Sequence, residues 1–301
     1  MSLLLRAFQA NAVGYDEGMR WLQLDRRQAI GEADVAGLAW ALSVDVDDLR
    51  RRLVVLEWRG GGRWVHLAGQ RLSRWIAPTC MSAKLCPQCL RDTGVAKMVW
   101  MTRATPACAR HGYGLLQKCL SCGAPIRWAR PGVSVCRCGR FYRPVAEPEP
   151  LQPELQSWLN WTEAVIGADP LAADKAASGL PALVRSMSID GAYRLIEAFG
   201  LLETASDPVR EVRHISASLR TVGTVLARGL HRLHGAASSD DVDRLPFELA
   251  HLPALRDLAD TPACEADGLR AAWLLDIYRA ARPSGSRRVG ARPKRQLPLF
   301  L

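Results

Sequence analysis

The 301-residue sequence has no long apolar run. Its longest, Val35 to Leu42, is far short of the roughly 18–20 residues that span a bilayer. Leu3-Leu4-Leu5 before Arg6 is too short for the apolar stretch of a signal peptide, so a cytoplasmic protein with no membrane partner is the expectation. No paired carboxylates, nucleophile–base set or phosphate-cradling loop stands out, which argues against an enzyme. No repeat recurs at a fixed period. Acid is scarce in one place: from Arg51 to Arg143 only Glu57 and Asp92 oppose 17 Lys and Arg residues, a balance of +15.

What is present fits a folded chain of about two domains, at roughly 100–200 residues each. Hydrophobic residues make up 49% and charged residues 23%, ordinary values for a globular protein. From Leu151 to Ala281 the count is 12 basic against 18 acidic, or −6, and Arg282 to Leu301 carries six basic residues and no acid. A basic middle, an acidic half and a basic tail suggest an adaptor whose surfaces meet different partners.

The pattern predicts a mainly α fold with small zinc-finger and zinc-ribbon modules. The first 75 residues read as helices: Leu3, Leu4, Ala7, Phe8 and Ala12 recur at helical spacing, and Glu32 to Leu42 has few breakers. Leu38 to Leu53 then looks like a helix-turn-helix, small and aliphatic in its first helix and basic in its second. An ordinary helical hairpin that docks a protein is the alternative. Four parts follow: 1–80, an N-terminal helical part with the helix-turn-helix; 81–146, a tandem zinc module rich in Gly, Pro and Cys; 147–281, a helical domain after the stiff Glu147-Pro148-Glu149-Pro150 linker; and 282–301, a disordered basic tail with an apolar end.

Nine cysteines in a cytoplasmic chain call for metal rather than disulfides. Cys86-Pro87-Gln88-Cys89 and Cys108-Ala109-Arg110-His111 form one set of three cysteines and a histidine. Cys119-Leu120-Ser121-Cys122 and Cys136-Arg137-Cys138 form a four-cysteine set. A Cys-x-x-Cys turn places two thiolates at the edge of one loop, which suits a tetrahedral ion, and four protein ligands leave no open position for water. Two structural Zn²⁺ ions are therefore expected. An interleaved arrangement, with Cys86 and Cys89 sharing a metal with Cys119 and Cys122, is the other pairing. A zinc deaminase would need His-x-Glu, and His66-Leu67-Ala68 lacks the glutamate. A thioredoxin-like pair would not come with three further ligand pairs. Seven thiolates and two Zn²⁺ contribute −3, which leaves the Arg51–Arg143 segment near +12. Such a surface suits a polyanion. Arg50, Arg51, Arg52, Arg127 and Arg130 are the candidate nucleic-acid contacts, and most of the interleaved tryptophans should be core.

Leu85 to Leu90, Trp100 and Cys108-Ala109-Arg110-His111-Gly112-Tyr113-Gly114-Leu115-Leu116, continued by Cys119–Gly123 and Cys136–Gly139, resemble the zinc-finger core of the TniQ/TnsD transposition proteins. Ser2 to Arg6 resembles that family's opening helix, and the helix-turn-helix falls where the family has one. The resemblance covers about residues 1–143. It implies a non-enzymatic, nucleoid-associated adaptor that selects a transposition target, by binding DNA directly or by riding on a CRISPR RNA-guided effector complex. Such a protein then recruits an AAA+ ATPase (TnsC or TniB), which brings the transposase; a homodimer is compatible with it. Leu151–Ala281 matches no named motif. A free-standing zinc-containing transcriptional regulator is the alternative function. Finally, Gln296-Leu297-Pro298-Leu299-Phe300 resembles the peptide with which bacterial DNA-processing proteins dock on the replication sliding clamp. Leu297, Leu299 and Phe300 would supply apolar contacts and Gln296 orienting hydrogen bonds. A tail folded back on its own domain, or a chance match, is the other reading.

Overall fold

The computed structural model describes residues 1–24, 32–59, 62–77, 83–144, 150–201, 219–235 and 252–280. The chain is mostly helical. Helices α1 (Ser2–Ala10) and α2 (Tyr15–Trp21) pack with α3 (Val35–Leu42) and α4 (Val46–Arg51) around a small core of Leu4, Phe8, Met19, Val35, Leu38, Ala39, Leu49 and Leu53. Helix α3 stops where Ser43 turns left-handed, at φ 51°. Asp45 then caps α4, its carboxylate accepting from the Asp48 amide at 2.9 Å. Two short helices thus follow one another across a three-residue turn.

Residues 54–59 and 62–73 are not helical, contrary to the sequence expectation. They form an antiparallel sheet in the order β1 (Val54–Arg59), β2 (Gly62–Leu67), β3 (Gln70–Ser73), with Val54 opposite Leu67 and Leu67 opposite Gln70. Ala68 and Gly69 both have positive φ, 51° and 76°, the paired left-handed conformation of a two-residue hairpin turn. Branched and aromatic residues fill β1 and β2, and these pack better on a pleated surface than along a helix.

Beyond the sheet, residues 83–144 carry only α5 (Pro87–Thr93), a short 3₁₀ turn at Met98–Met101 and isolated bridges such as Leu85 with Leu116. Helices α6 (Pro153–Ile166), α7 (Pro170–Ala177), α8 (Ile189–Gly200), α9 (Leu219–His234), α10 (Leu252–Asp260) and α11 (Glu265–Ala280) complete the described chain.

One hydrophobic cluster runs from Leu5 through Leu67, Trp100, Cys108 and Trp158 to Leu275. The metal-ligand segment and the helical half therefore share a core, although Pro and Glu separate them in sequence. Polar ties reinforce it. Trp158 Nε1 donates to the Ala104 carbonyl at 2.9 Å, and Gln156 donates to that of Ala109 at 2.7 Å. The buried Asp190 carboxylate accepts from the Ser73 amide at 2.6 Å and faces Arg194, which also reaches Asp257 at 2.9 Å. Burial raises the Asp190 pKa, against the pull of Ser73 and Arg194. Lys84 is buried as well, and its ammonium donates to the Thr102 and Thr105 carbonyls. Desolvation brings its pKa down to about 7. Among the described residues, no helix is long and apolar enough to cross a membrane.

Candidate metal centres and the basic surface

The first cluster brings together Cys86, Cys89, Cys108 and His111. Cys86 caps α5, Pro87 opens the helix and Cys89 lies within its first turn, so a single helix start aims two sulfurs at one point. Cys108 and His111 come from a turn closed by the Gly112 amide on the Cys108 carbonyl at 2.9 Å, with Gly112 at φ 69°. His111 Nδ1 lies 3.5, 3.2 and 3.6 Å from the sulfurs of Cys86, Cys89 and Cys108, and the Cys89 and Cys108 sulfurs are 3.5 Å apart. A tetrahedral ion with bonds of about 2.3 Å to sulfur and 2.0–2.1 Å to nitrogen sets its ligand atoms about 3.5–3.8 Å apart. The residues fit such an ion.

Asp92, which the sequence reading passed over, completes this site. Its Oδ2 is 3.1 Å from His111 Nε2, and Gln88 donates to its Oδ1 at 3.1 Å. With the Nε2 proton directed at Asp92, Nδ1 is left as a free lone pair facing the sulfurs. Crowding splits the acidity of the thiols. Hydrogen bonds from Cys86 and Cys89 draw Cys108 far below the ordinary thiol range, and Cys108 in turn pushes Cys89 far above it. A divalent cation is the charge that lets all three ionise together.

The second cluster brings together Cys119, Cys122, Cys136 and Cys138, with Cys119 to Cys138 at 3.9 Å and Cys122 to Cys136 at 3.7 Å. Two tight turns build it. Gly123, at φ 69°, donates to the Cys119 carbonyl at 2.8 Å; Gly139, at φ 80°, donates to that of Cys136 at 2.9 Å. Positive φ at both positions favours glycine. Burial opposes ionisation of Cys119, yet the Cys122 and Ser121 amides bring it down to about 6; Cys122, helped by the Ala124 amide, is still driven up to about 12 by Cys138 and its neighbours. The eight ligands thus group in chain order and not in the interleaved way. Cys80 lies outside the described residues, and Cys264 is exposed and distant in sequence from both clusters.

The five arginines expected at nucleic acid fall on two segments, the end of α4 and the loop that holds Arg127 and Arg130. Arg50 and Arg51 are exposed on α4 but paired within the N-terminal helices, Arg50 with Glu32 at 2.7 Å and Asp47 at 2.5 Å, Arg51 with Asp48. Arg52 and Arg127 are exposed. Arg130 requires correction: it is 3% exposed, and its guanidinium donates to the carbonyls of Gly132, Arg127 and Val133 at 3.0, 2.8 and 3.2 Å. It also lies 5.0 Å from the Trp128 ring and 5.7 Å from that of Tyr142. Desolvation lowers its pKa, partly countered by Tyr142 and Cys136. This arginine ties a loop together and cannot face a phosphate. Trp64, Trp100 and Trp128 are buried, whereas Trp40 on α3 is 86% exposed. Gln296, Leu297, Leu299 and Phe300 lie outside the described residues.

Residues 1–115 match the family model TniQ. That span takes in α1 to α4, the sheet and the whole first cluster, and it ends before the second. No curated protein matches the chain.

Proposed function

We propose that this chain, a transposition-associated protein by the TniQ domain of its first 115 residues, is a non-catalytic adaptor that binds target DNA and recruits an AAA+ ATPase. The observation that carries this is the TniQ match over a segment that contains four converging ligand residues able to hold a metal ion. Both clusters have the donor chemistry of structural zinc, three thiolates with an imidazole and four thiolates. Cys86, Cys89, Cys108 and His111 would hold one ion; Cys119, Cys122, Cys136 and Cys138 would hold the other. Zinc supplies charge neutralisation and cross-linking there, on the order of 10 kcal/mol of folding free energy in small fingers. With all four positions taken by protein, neither ion has a place for substrate.

The chain's own residues then divide the work. The shared core fixes both clusters to the helical half, so the molecule presents its basic and acidic faces in one set geometry. The α3–α4 pair and the exposed Arg52 and Arg127 are the proposed DNA contacts. The pairs of Arg50 and Arg51 with Glu32, Asp47 and Asp48 are solvent-exposed and can be exchanged for phosphates. Target choice through an RNA-guided complex uses the same recruitment step.

The test is a duplex-binding assay with and without a TnsC- or TniB-like AAA+ ATPase, followed by reconstituted transposition. A stable DNA complex that requires the ATPase is expected. Tight binding of a short operator by the chain alone, unaffected by the ATPase, would favour the transcriptional-regulator reading instead.

A further inference from the structure

Resting on the DNA-handling role just described, we propose that the outer face of the second cluster is a binding site for single-stranded nucleic acid, with Phe141 as a stacking ring and Arg127, Arg137, Arg140 and Arg143 as phosphate contacts. The two clusters are placed differently. In the first, Cys86, Cys89 and Cys108 are all buried; in the second, Cys122 and Cys138 are exposed, as are Gly123 and Gly139. A methyl group added at either glycine would meet nothing within 4 Å. The backbone of both turns is open to a close-lying strand.

The charge of this segment is one-sided. Lys118 to Arg143 contains six cations and no acid. Four thiolates and one divalent ion subtract two, which leaves about +4. Arg130 points inward. The other five, Lys118, Arg127, Arg137, Arg140 and Arg143, are exposed and have no carboxylate within ion-pair distance among the described residues. Arg50, Arg51, Arg103, Arg110 and Arg194 elsewhere all have one. An unneutralised set of exposed arginines is complementary to a polyanion.

Phe141 selects among polyanions. It is 66% exposed beside Tyr142, which is buried, and Arg143, which is exposed. Phe141 bridges Val135, and the Tyr142 amide donates to the Ser134 carbonyl at 3.1 Å. The backbone there is extended and alternates outward ring, inward ring, outward cation. Arg130 beneath Tyr142 steadies the segment, so the ring is presented by a fixed strand. An exposed ring among phosphate-binding arginines fits bases whose faces are free, the condition of a single strand rather than of a duplex or an acidic peptide.

The experiment is fluorescence anisotropy of the full metal-loaded chain with a labelled 20-nucleotide oligo-dT, a duplex of equal length, and polyglutamate as competitor. Phe141→Ala should weaken oligo-dT binding about 5-fold or more while leaving the duplex nearly unchanged, and Phe141→Trp should restore it. The triple variant Arg137→Gln/Arg140→Gln/Arg143→Gln should lower the slope of log K against log salt by about 2 on the single strand, at roughly 0.7 per contact. All four side chains are at the surface, and two metals per chain in each variant would verify the fold. Unchanged oligo-dT binding in Phe141→Ala, or competition by polyglutamate equal to that of oligo-dT, would overturn the proposal. Either result leaves the ATPase-dependence test untouched, so the adaptor function and this site fail separately.

Discussion

Replacing Arg130 separates a structural arginine from a DNA contact. Its guanidinium is fully used inside the loop 127–133: three hydrogen bonds to carbonyls and two aromatic faces. A hydrogen bond from a charged donor contributes about 1.5–3 kcal/mol, and a buried carbonyl left without a donor costs about 1–3 kcal/mol. Each aromatic contact adds about 0.5–2 kcal/mol. Arg127 and Pro131 on the same loop are exposed, so some carbonyls would regain water, and the sum comes down to about 3–5 kcal/mol for Arg130→Ala. Arg130→Lys should recover only a small part of that loss, because one ammonium cannot span the three carbonyls that the planar fork reaches.

The second cluster stands on this loop, so the loss should show first as faster zinc release to a chelator and as a lower urea midpoint. Arg127→Ala, at an exposed position, should stay within about 0.5 kcal/mol of the parent. DNA binding gives the opposite ranking. Arg127→Gln should lower the salt slope by about 0.9, and metal-loaded Arg130→Ala should keep the parent slope. If Arg130→Ala retained metal and stability but lost a phosphate contact, the inward placement of the guanidinium would be wrong.

Glycines on α9 make a matched pair: a methyl at Gly229 would lie 2.0 Å from the Ile196 carbonyl oxygen, whereas one at Gly223 meets nothing nearer than Pro106 at 3.7 Å. Gly229→Ala should therefore destabilise by about 1–3 kcal/mol or more, and Gly223→Ala should be neutral or gain up to about 1 kcal/mol, measured by urea unfolding. Asp92→Asn should weaken metal binding at the first cluster about 10–100-fold in competition with a chromophoric chelator, with the second cluster unaffected. Cys119→Ser should lower the metal content by elemental analysis from two per chain to one, and a folded parent with no metal would sink the zinc assignment. A labelled Arg292–Leu301 peptide should bind purified sliding clamp in anisotropy, and a Leu299→Ala/Phe300→Ala peptide should not; equal, negligible binding by both would end that expectation.

What the sequence makes legible here is local. Each ligand pair is a turn motif, so Cys86/Cys89 or Cys136/Cys138 announces itself within four residues, and the glycines after two of the pairs mark the positive φ that the turn needs. The grouping of pairs into clusters followed from chain order. What stayed hidden depends on strand pairing, distant partners or the folded shape of a loop. Val54-Val55-Leu56 continues a helical-looking apolar pattern, and only pairing with β2 makes it a strand. Arg130 sits in a basic stretch where arginine is ordinarily a surface residue, and nothing nearby in sequence says that three carbonyls converge on it. Asp190 and Ser73 are 117 residues apart. Asp92 did carry a signal: it is one of only two acids in 93 residues of basic chain, and it lies three residues after a ligand cysteine, where an outer-shell partner of the cluster belongs.

The family match ends at residue 115, between the clusters, yet the packing does not. The Leu85 and Leu116 backbones exchange hydrogen bonds at 3.0 and 2.8 Å, and the Ala83 amide donates to Ile126 at 2.9 Å, so the second cluster is laced directly to the segment that opens the first. Trp158 and Gln156 then fasten α6 to the Ala104–Ala109 stretch on both sides of Cys108. A chain cut at 115 would lose the partners of Leu85 and Ala83 together. A new binding surface on such a body is confined to what faces out. In the described structure the first cluster faces inward and the second faces solvent. A metal held at Cys86–His111 would therefore only organise the core, while one held at Cys119–Cys138 would also set the spacing of the arginines displayed around it. Any variation in what this protein recognises should appear at Leu120, Arg137, Arg140 and Phe141 before it appears at the ligands of the first cluster.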